Sequence, residues 1–160
     1  SIYSFPMRYF PLNAKSRMVD TGNKHWNKRY LRGLQVILNV MKGSVMPGAD
    51  FFYQAFGETP EEFKSILMMP DEFIRNRLKP NWQKINERTK RLMPYVKKWR
   101  VDYRSLSTKE RKDLINILAH NERNNIRGNA IKNKKVRKLI EYHLNAEDIV
   151  SKNGNGQKKY

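Results

Sequence analysis

Apolar side chains recur every three or four residues through most of this chain, in segments that proline and glycine bring to an end. This spacing puts apolar side chains on one face of an α-helix, so it predicts a mainly helical fold. The longest regular segment runs from Asn23 to Lys42, and Trp26 and Tyr30 are predicted to be on its core side. The cations of this segment are predicted to lie on the opposite, solvated face: Lys24, Lys28, Arg29, Arg32 and Lys42.

Two short motifs locate helix starts. Thr59 has the character of an N-cap, with Pro60 at the first helical position and Glu62 as the capping-box partner. Ser107 and Glu110 have the spacing of a second capping box. Each motif precedes apolar residues at helical spacing, so each predicts a helix that begins at that point.

The other predicted helices are shorter or less regular. Asp50 is expected to cap a short helix that Gly57 ends. Pro94 is expected to kink or break a longer basic segment that begins at Asn81. The last helix is predicted from Ile131 to Leu144. One more short helix is predicted between Pro70 and Leu78.

The chain opens on β-favouring residues, which predict a short N-terminal strand over residues 1–5. It begins inside this segment and without Met, as would a protein with a removed leader or the tail end of a longer chain. The expected organisation is this strand followed by six or seven helices in a single domain, residues 1–150. Residues 107–150 could pack as a small lobe, and residues 151–160 are expected to be a disordered tail.

The formal net charge is +18 and is spread along the chain. A charge of this size and sign favours polyanionic partners such as nucleic acid or an anionic membrane surface, although an acidic partner protein or Lys-rich composition would explain it as well. Cysteine is absent, which excludes disulfides, thiolate metal sites and cysteine-ligated iron–sulfur clusters from this chain. No membrane span and no signal peptide are predicted, so the expected compartment is the cytoplasm.

The sequence contains no self-sufficient active site. His25, His120 and His143 are far apart, and the last two are predicted to lie near helix C-termini, where a cation is favoured. Two groups of cations could meet the phosphates of a nucleic acid, or could equally be solvated helix surface. We call them the first cation group (Lys24, Lys28, Arg32) and the second cation group (Lys134, Lys135, Lys138).

Three stretches carry a family resemblance: FPMRYFPLNAKSR, GNKHWNKRYLRGLQVIL and FFYQAFGETPEEFKSILMMP. Together they resemble the region that follows the catalytic barrel in radical SAM proteins of the cobalamin-binding type. The resemblance covers about residues 1–78 and does not extend to the rest of the chain.

The resemblance implies that the N-terminal strand is the last strand of a barrel that lies upstream in the same polypeptide. Arg8 would then lie at the rim where substrates bind, with Tyr9 and His25 as further substrate-binding candidates; equally, Arg8 could pair with Asp20. The full-length protein would use an iron–sulfur cluster and S-adenosylmethionine, with cobalamin as a further candidate cofactor, whereas this chain is expected to have no cofactor of its own.

We therefore expect an accessory, non-catalytic C-terminal segment of a radical SAM enzyme. The alternative is a stand-alone basic helical module that binds nucleic acid. A third hypothesis is a structural subunit that partners an acidic protein.

Overall fold

Seven α-helices form the part of the chain that the computed structural model describes, which comprises residues 26–41, 49–78, 87–120 and 125–151. The predicted mainly helical fold is therefore confirmed, and no strand occurs in these four ranges. The predicted N-terminal strand lies outside them, as does the predicted tail beyond Ser151. The helices are α1 Lys28–Val40, α2 Ala49–Phe56, α3 Pro60–Met68, α4 Asp71–Arg77, α5 Glu87–Arg104, α6 Thr108–His120 and α7 Lys134–Val150, with a 3-10 helix Gly128–Ala130 before α7.

Helix α1 begins at Lys28, five residues later than the predicted start at Asn23. Asn27 is the N-cap, and its side-chain oxygen accepts a hydrogen bond from the backbone N–H of Tyr30 at 3.0 Å. A short polar side chain that satisfies this orphan donor fixes the helix start more strongly than the apolar spacing does. As predicted, Tyr30 is buried in the core, and Trp26 packs against the core.

The capping box at Ser107 is complete, whereas the one at Thr59 has only the N-cap hydrogen bond. Ser107 Oγ accepts from the N–H of Glu110 at 3.3 Å, and Glu110 Oε2 accepts from the N–H of Ser107 at 2.8 Å, as predicted. Thr59 Oγ1 accepts from the N–H of Glu62 at 3.1 Å, but Glu62 Oε2 reaches one residue further back, to the N–H of Glu58 at 3.1 Å.

Helix α2 begins at Ala49, so Asp50 lies within the helix and not at the predicted position before its first residue.

Pro94 does not break α5, which continues through it from Glu87 to Arg104. The expectation of a break was wrong because the apolar side of this helix is buried on both sides of the proline. Leu92 lies before Pro94, and Val96 and Trp99 lie after it; all three are almost completely buried. Burial of these side chains offsets the backbone hydrogen bond that proline removes.

The last helix, α7, spans Lys134–Val150 and not the predicted Ile131–Leu144. The Asn133 side chain caps it, accepting from the N–H groups of Lys135 at 2.9 Å and Val136 at 3.2 Å. At the other end, Ala146 and Val150 continue the buried face beyond Leu144. The helix therefore starts at its polar cap and ends where its apolar periodicity ends.

The helices share a contiguous apolar core. Helix α1 packs against α3, α4 and α6, and α7 packs against α4, α5 and α6. Trp99 of α5 is completely buried and stacks on Tyr103, with ring centroids 5.0 Å apart. Between α4 and α7, Phe73 meets the ring of Tyr142 edge-on, with ring centroids 5.9 Å apart.

Candidate functional site

The sequence-predicted site residues fall into two sets. The proposed substrate-binding residues Arg8, Tyr9 and His25 lie outside the described ranges, as does Lys24. The remaining members of the first cation group, Lys28 and Arg32, are in α1, and the second cation group, Lys134, Lys135 and Lys138, is in the N-terminal half of α7.

The side chain of Arg29 connects α1 to the junction between α3 and α4. Its Nε donates to the main-chain oxygen of Leu67 at 3.0 Å, and its Nη2 donates to the main-chain oxygen of Met69 at 2.9 Å and to Asp71 Oδ1 at 2.8 Å. The last carbonyls of a helix have no partner within it, so Arg29 satisfies groups that α3 leaves free at its C-terminal end. The placement of Arg29 on the solvated face was wrong, because this guanidinium is buried between α1 and the α3–α4 junction.

Asp71, the first residue of α4, receives two guanidinium groups. Arg29 binds one carboxylate oxygen, and Arg32 binds the other through Nε at 2.8 Å. Burial alone would raise the pKa of Asp71, but the two guanidiniums outweigh it and hold the pKa of that carboxyl below its usual value. Arg32 thus already has a carboxylate partner, although 45% of its side chain is exposed.

His143 occupies the interior of α7 and not its C-terminus, contrary to the expectation from sequence. Its side chain is buried, and Nε2 lies 2.9 Å from the main-chain oxygen of Met68. Because a carbonyl oxygen can only accept, the ring donates from Nε2. His120, by contrast, is the last residue of α6 as predicted, is exposed, and contacts the main-chain oxygen of Asn116 through Nδ1 at 2.9 Å.

Gly33 allows α1 to lie directly against α3. A Cβ atom at this position would come within 2.6 Å of the main-chain oxygen of Leu67 and 2.9 Å of its Cα. Both contacts are shorter than van der Waals packing allows and involve backbone, which cannot rotate away. Gly33 and Arg29, one helical turn apart, therefore meet the same residue of α3.

Two further arginines lie where α2, α3 and α5 approach one another. Arg77 donates to the main-chain oxygens of Gln54 and Ala55, the latter at 2.9 Å, and so caps the C-terminal end of α2. Burial, with a smaller contribution from Arg100, lowers the pKa of Arg77 to about 9. Arg100 pairs with Glu62 at 3.5 Å. This cluster is a set of helix-end contacts, and it presents no acid–base pair suited to catalysis.

The second cation group lies beside the C-terminal end of α5. Lys138 Nζ forms an ion pair with Asp102 Oδ1 at 2.8 Å, and Lys135 Nζ donates to the main-chain oxygen of Ser105 at 3.3 Å. These contacts join the basic end of α7 to α5, which is itself rich in exposed cations. The basic character of this segment is visible in the sequence, but none of its cations is among the predicted polyanion-binding residues, although the alternation of buried apolar and exposed basic residues carries the signal.

Within the described residues, no group of three histidine, cysteine or carboxylate side chains is arranged to hold a metal ion. In the same ranges, no helix has the length and apolar character needed to cross a membrane.

Comparison of the chain with models of known protein families, with curated proteins and with solved structures finds no match.

Proposed function

We propose that this chain is a C-terminal accessory segment of a radical SAM enzyme and is not catalytic by itself. The proposal rests on the sequence resemblance over residues 1–78 and on the way in which two of its three stretches fit together. The upstream catalytic barrel of the same polypeptide would be its principal partner, in the cytoplasm.

The observation that carries the proposal is the junction between α1 and α3. The stretch around Arg29 and Gly33 and the stretch that ends in Leu67 and Met69 are separated by more than thirty residues, yet they pack directly on one another. The residues in contact belong to the motifs that carry the resemblance. Two stretches that pack on one another form one folding unit, because each stretch needs the other to be stable. A family that shares this folding unit is therefore expected to share both parts of the sequence pattern.

The residues of this chain do not fit an iron–sulfur cluster. Such clusters are held by cysteine thiolates, and the chain has no cysteine. The cluster and the S-adenosylmethionine would therefore be bound by the upstream barrel, together with cobalamin if the enzyme uses it. The role left to this segment is to pack against the barrel and to contribute substrate contacts at its rim, with Arg8, Tyr9 and His25 as candidates.

The first test is the reading frame immediately upstream of Ser1. The proposal expects an open frame that encodes the three-cysteine pattern CxxxCxxC in the same polypeptide. A start codon with its own ribosome-binding site directly before Ser1 would contradict it.

The second test uses the intact enzyme after anaerobic reconstitution. We expect reductive cleavage of S-adenosylmethionine by the intact protein and none by the 160-residue segment alone. Arg8→Lys in the intact enzyme is expected to weaken substrate affinity, because lysine lacks the bidentate geometry of a guanidinium. Unchanged turnover and affinity would reject Arg8 as a substrate anchor without affecting the wider proposal.

A further inference from the structure

The outward face of α5 is strongly basic. The side of this helix that faces the core consists of Thr89, Leu92, Val96, Trp99 and Tyr103, all buried. The cations therefore lie on the remaining circumference, where the structure leaves these five exposed: Arg88, Lys90, Lys97, Lys98 and Arg104.

Carboxylates do not neutralise this face. The helix carries two acids, Glu87 and Asp102, and each already has a lysine partner: Lys90 at 2.9 Å and Lys138 at 2.8 Å. Lys97, Lys98 and Arg104 have no carboxylate partner within the part of the chain that the structure describes. An array of cations without partners on one side of a rigid helix favours a polyanionic ligand.

Helix α7 extends the same surface. Its first turn contains no acidic residue, and Lys134, Lys135 and Lys138 lie at the end of the helix where the macrodipole disfavours positive charge. The ion pair of Lys138 with Asp102 and the hydrogen bond of Lys135 to Ser105 hold this end of α7 against α5. Because the Asn133 side chain already accepts from the N–H groups of Lys135 and Val136, a ligand would be bound by the lysine side chains.

We propose that α5 and the N-terminal end of α7 form a binding surface for single-stranded nucleic acid. The α5–α7 basic surface comprises Arg88, Lys90, Lys97, Lys98, Arg104, Lys134, Lys135 and Lys138. From Lys90 to Arg104 the helix rises by ~21 Å, at ~1.5 Å for each residue. This length accommodates several consecutive phosphates of an extended strand.

Tyr95 is what favours a single strand over a duplex. It lies between Arg91 and Lys98 on one side of α5, and 42% of it is exposed. An exposed aromatic ring among cations provides a stacking platform for an unpaired base, while the cations follow the backbone. A duplex would offer phosphates to the lysines but no base face to the ring.

The same geometry argues against a membrane surface. A helix that lies on a bilayer must insert its apolar face, and the apolar face of α5 is buried in the protein core. The exposed apolar side chains Met93, Tyr95 and Val101 are interspersed with lysines and form no second apolar face.

The inference does not depend on the proposed function, because it concerns a surface of this chain alone. The test is fluorescence anisotropy of the 160-residue protein with labelled 20-nucleotide single-stranded RNA and DNA, at ~150 mM salt and across a salt series. Lys97→Glu with Lys98→Glu reverses two surface charges. Lys64→Glu with Lys112→Glu is the matched control with the same charge change on α3 and α6. Glu62 of α3 faces Arg100 of α5. Lys64 is two residues further along α3 and therefore lies ~200° around the helix from Glu62. Lys112 is exposed and lies two residues, ~200° around α6, from Glu110, which accepts from Asn133 at the start of α7.

We expect Lys97→Glu/Lys98→Glu to weaken binding at least tenfold and to reduce the log–log salt slope by roughly 1.4, that is ~0.7 for each lost phosphate contact on a single strand. The control should change the affinity less than twofold. Tyr95→Ala should weaken binding roughly tenfold, and Tyr95→Phe should retain most of the affinity because stacking needs the ring and not the hydroxyl.

Three results would overturn the proposal: no binding of the unmodified protein at ~150 mM salt, equal losses in the control and the surface variant, or competition by polyglutamate as effective as competition by unlabelled RNA. Binding to phosphatidylserine vesicles that Lys97→Glu/Lys98→Glu abolishes, without RNA binding, would assign the surface to membranes instead. Lys97→Gln/Lys98→Gln, a milder pair, replaces the charge-reversal pair if circular dichroism shows that the latter is unfolded.

Discussion

The imidazole of His143 donates from Nε2 to the main-chain oxygen of Met68, 75 positions away in sequence, over 2.9 Å. The main-chain oxygens on either side of Met68, those of Leu67 and Met69, accept from Arg29. Three successive carbonyls at the end of α3 are thus satisfied by two side chains from α1 and α7. Because unpaired buried carbonyls are costly, this junction ties three helices together in one arrangement.

Replacing His143 should therefore destabilise the fold. His143→Ala leaves the carbonyl of Met68 without this donor and opens a cavity, so we expect the free energy of unfolding to fall by about 2–3 kcal/mol. Urea denaturation followed by circular dichroism measures it. His120→Ala is the matched control, since that histidine is exposed, and should change stability by less than ~0.5 kcal/mol. Equal effects of the two substitutions would contradict the structural role of His143.

Arg29→Met should have a larger effect. The substitution removes the donors to Leu67 and Met69 and leaves Asp71 with Arg32 alone, so we expect a loss of about 3 kcal/mol. Lys28→Met, on the neighbouring residue, should have little effect. In a double-mutant cycle with Asp71→Asn, the two losses should not add, because both remove the same ion pair. Strict additivity would show that Arg29 and Asp71 are not coupled.

Gly33→Ala tests the close approach of α1 and α3. Alanine has the higher helix propensity, by about 1 kcal/mol, so on an isolated helix the change would stabilise. Here the new Cβ would meet the backbone of Leu67 at 2.6 Å, and we expect a net destabilisation of about 1–3 kcal/mol in thermal or urea unfolding. Gly128→Ala is the control, because its Cβ would lie 3.6 Å from a Leu144 methyl and meet nothing closer. A stabilised Gly33→Ala would show that the helices can separate without cost.

The helical character of the chain was predictable because it depends on local sequence. Apolar periodicity and the capping residues around Thr59 and Ser107 act over a few positions, and both capped helix starts were found correctly. Helix ends that depend on packing were missed. The continuation of α5 through Pro94 and of α7 to Val150 is decided by what the apolar faces bury.

The candidate site was less predictable, because its contacts are long-range. The sequence prediction places Arg29 on the solvated face with the other cations of its segment, although it lies one residue before Tyr30 and four before Gly33, at the N-terminal end of the buried side of α1. The hydrogen-bond partners of Arg29 are main-chain oxygens about forty positions away in sequence, and no pattern of side chains predicts such contacts. Helical spacing could have indicated that Arg29 faces inward, but only the tertiary structure identifies what it binds.

We expect the stability of the protein to depend on pH through the protonation of the Asp71 carboxyl group. Its pKa in the folded protein is lower than in the unfolded chain, so its contribution is fully present above about pH 4 and is lost as the pH falls through the folded value. Asp71→Asn should therefore be less stable than the unmodified protein at pH 7, and the difference should shrink towards pH 2. Urea unfolding at several pH values measures this. A difference that is constant with pH would show that the carboxylate charge contributes nothing.

Glu110 provides a second acid-sensitive contact. Hydrogen bonds from the Asn133 side chain and from the N–H of Ser107 lower the pKa of Glu110 from 4.5 to about 2, so its contribution is present above about pH 4.5 and is lost as the pH falls towards 2. Comparing Glu110→Gln with Asp71→Asn in the same pH series separates the two groups.

Pro94→Ala should stabilise the protein. Proline in a helix interior lacks the N–H that would bond to the carbonyl four residues earlier, and its ring crowds that carbonyl, at a cost of about 3 kcal/mol relative to alanine. Pro94 is exposed, so its replacement removes no core contact, while Leu92, Val96 and Trp99 keep the helix in place on both sides. We expect an increase of about 2 kcal/mol in the free energy of unfolding, with a small gain in helical circular dichroism.

Lys97→Ala, one turn further along the exposed face, is the control and should change stability by less than ~0.5 kcal/mol. If Pro94→Ala were neutral or destabilising, α5 would not be continuous through this residue in solution, and the alignment of cations on either side of it would not hold.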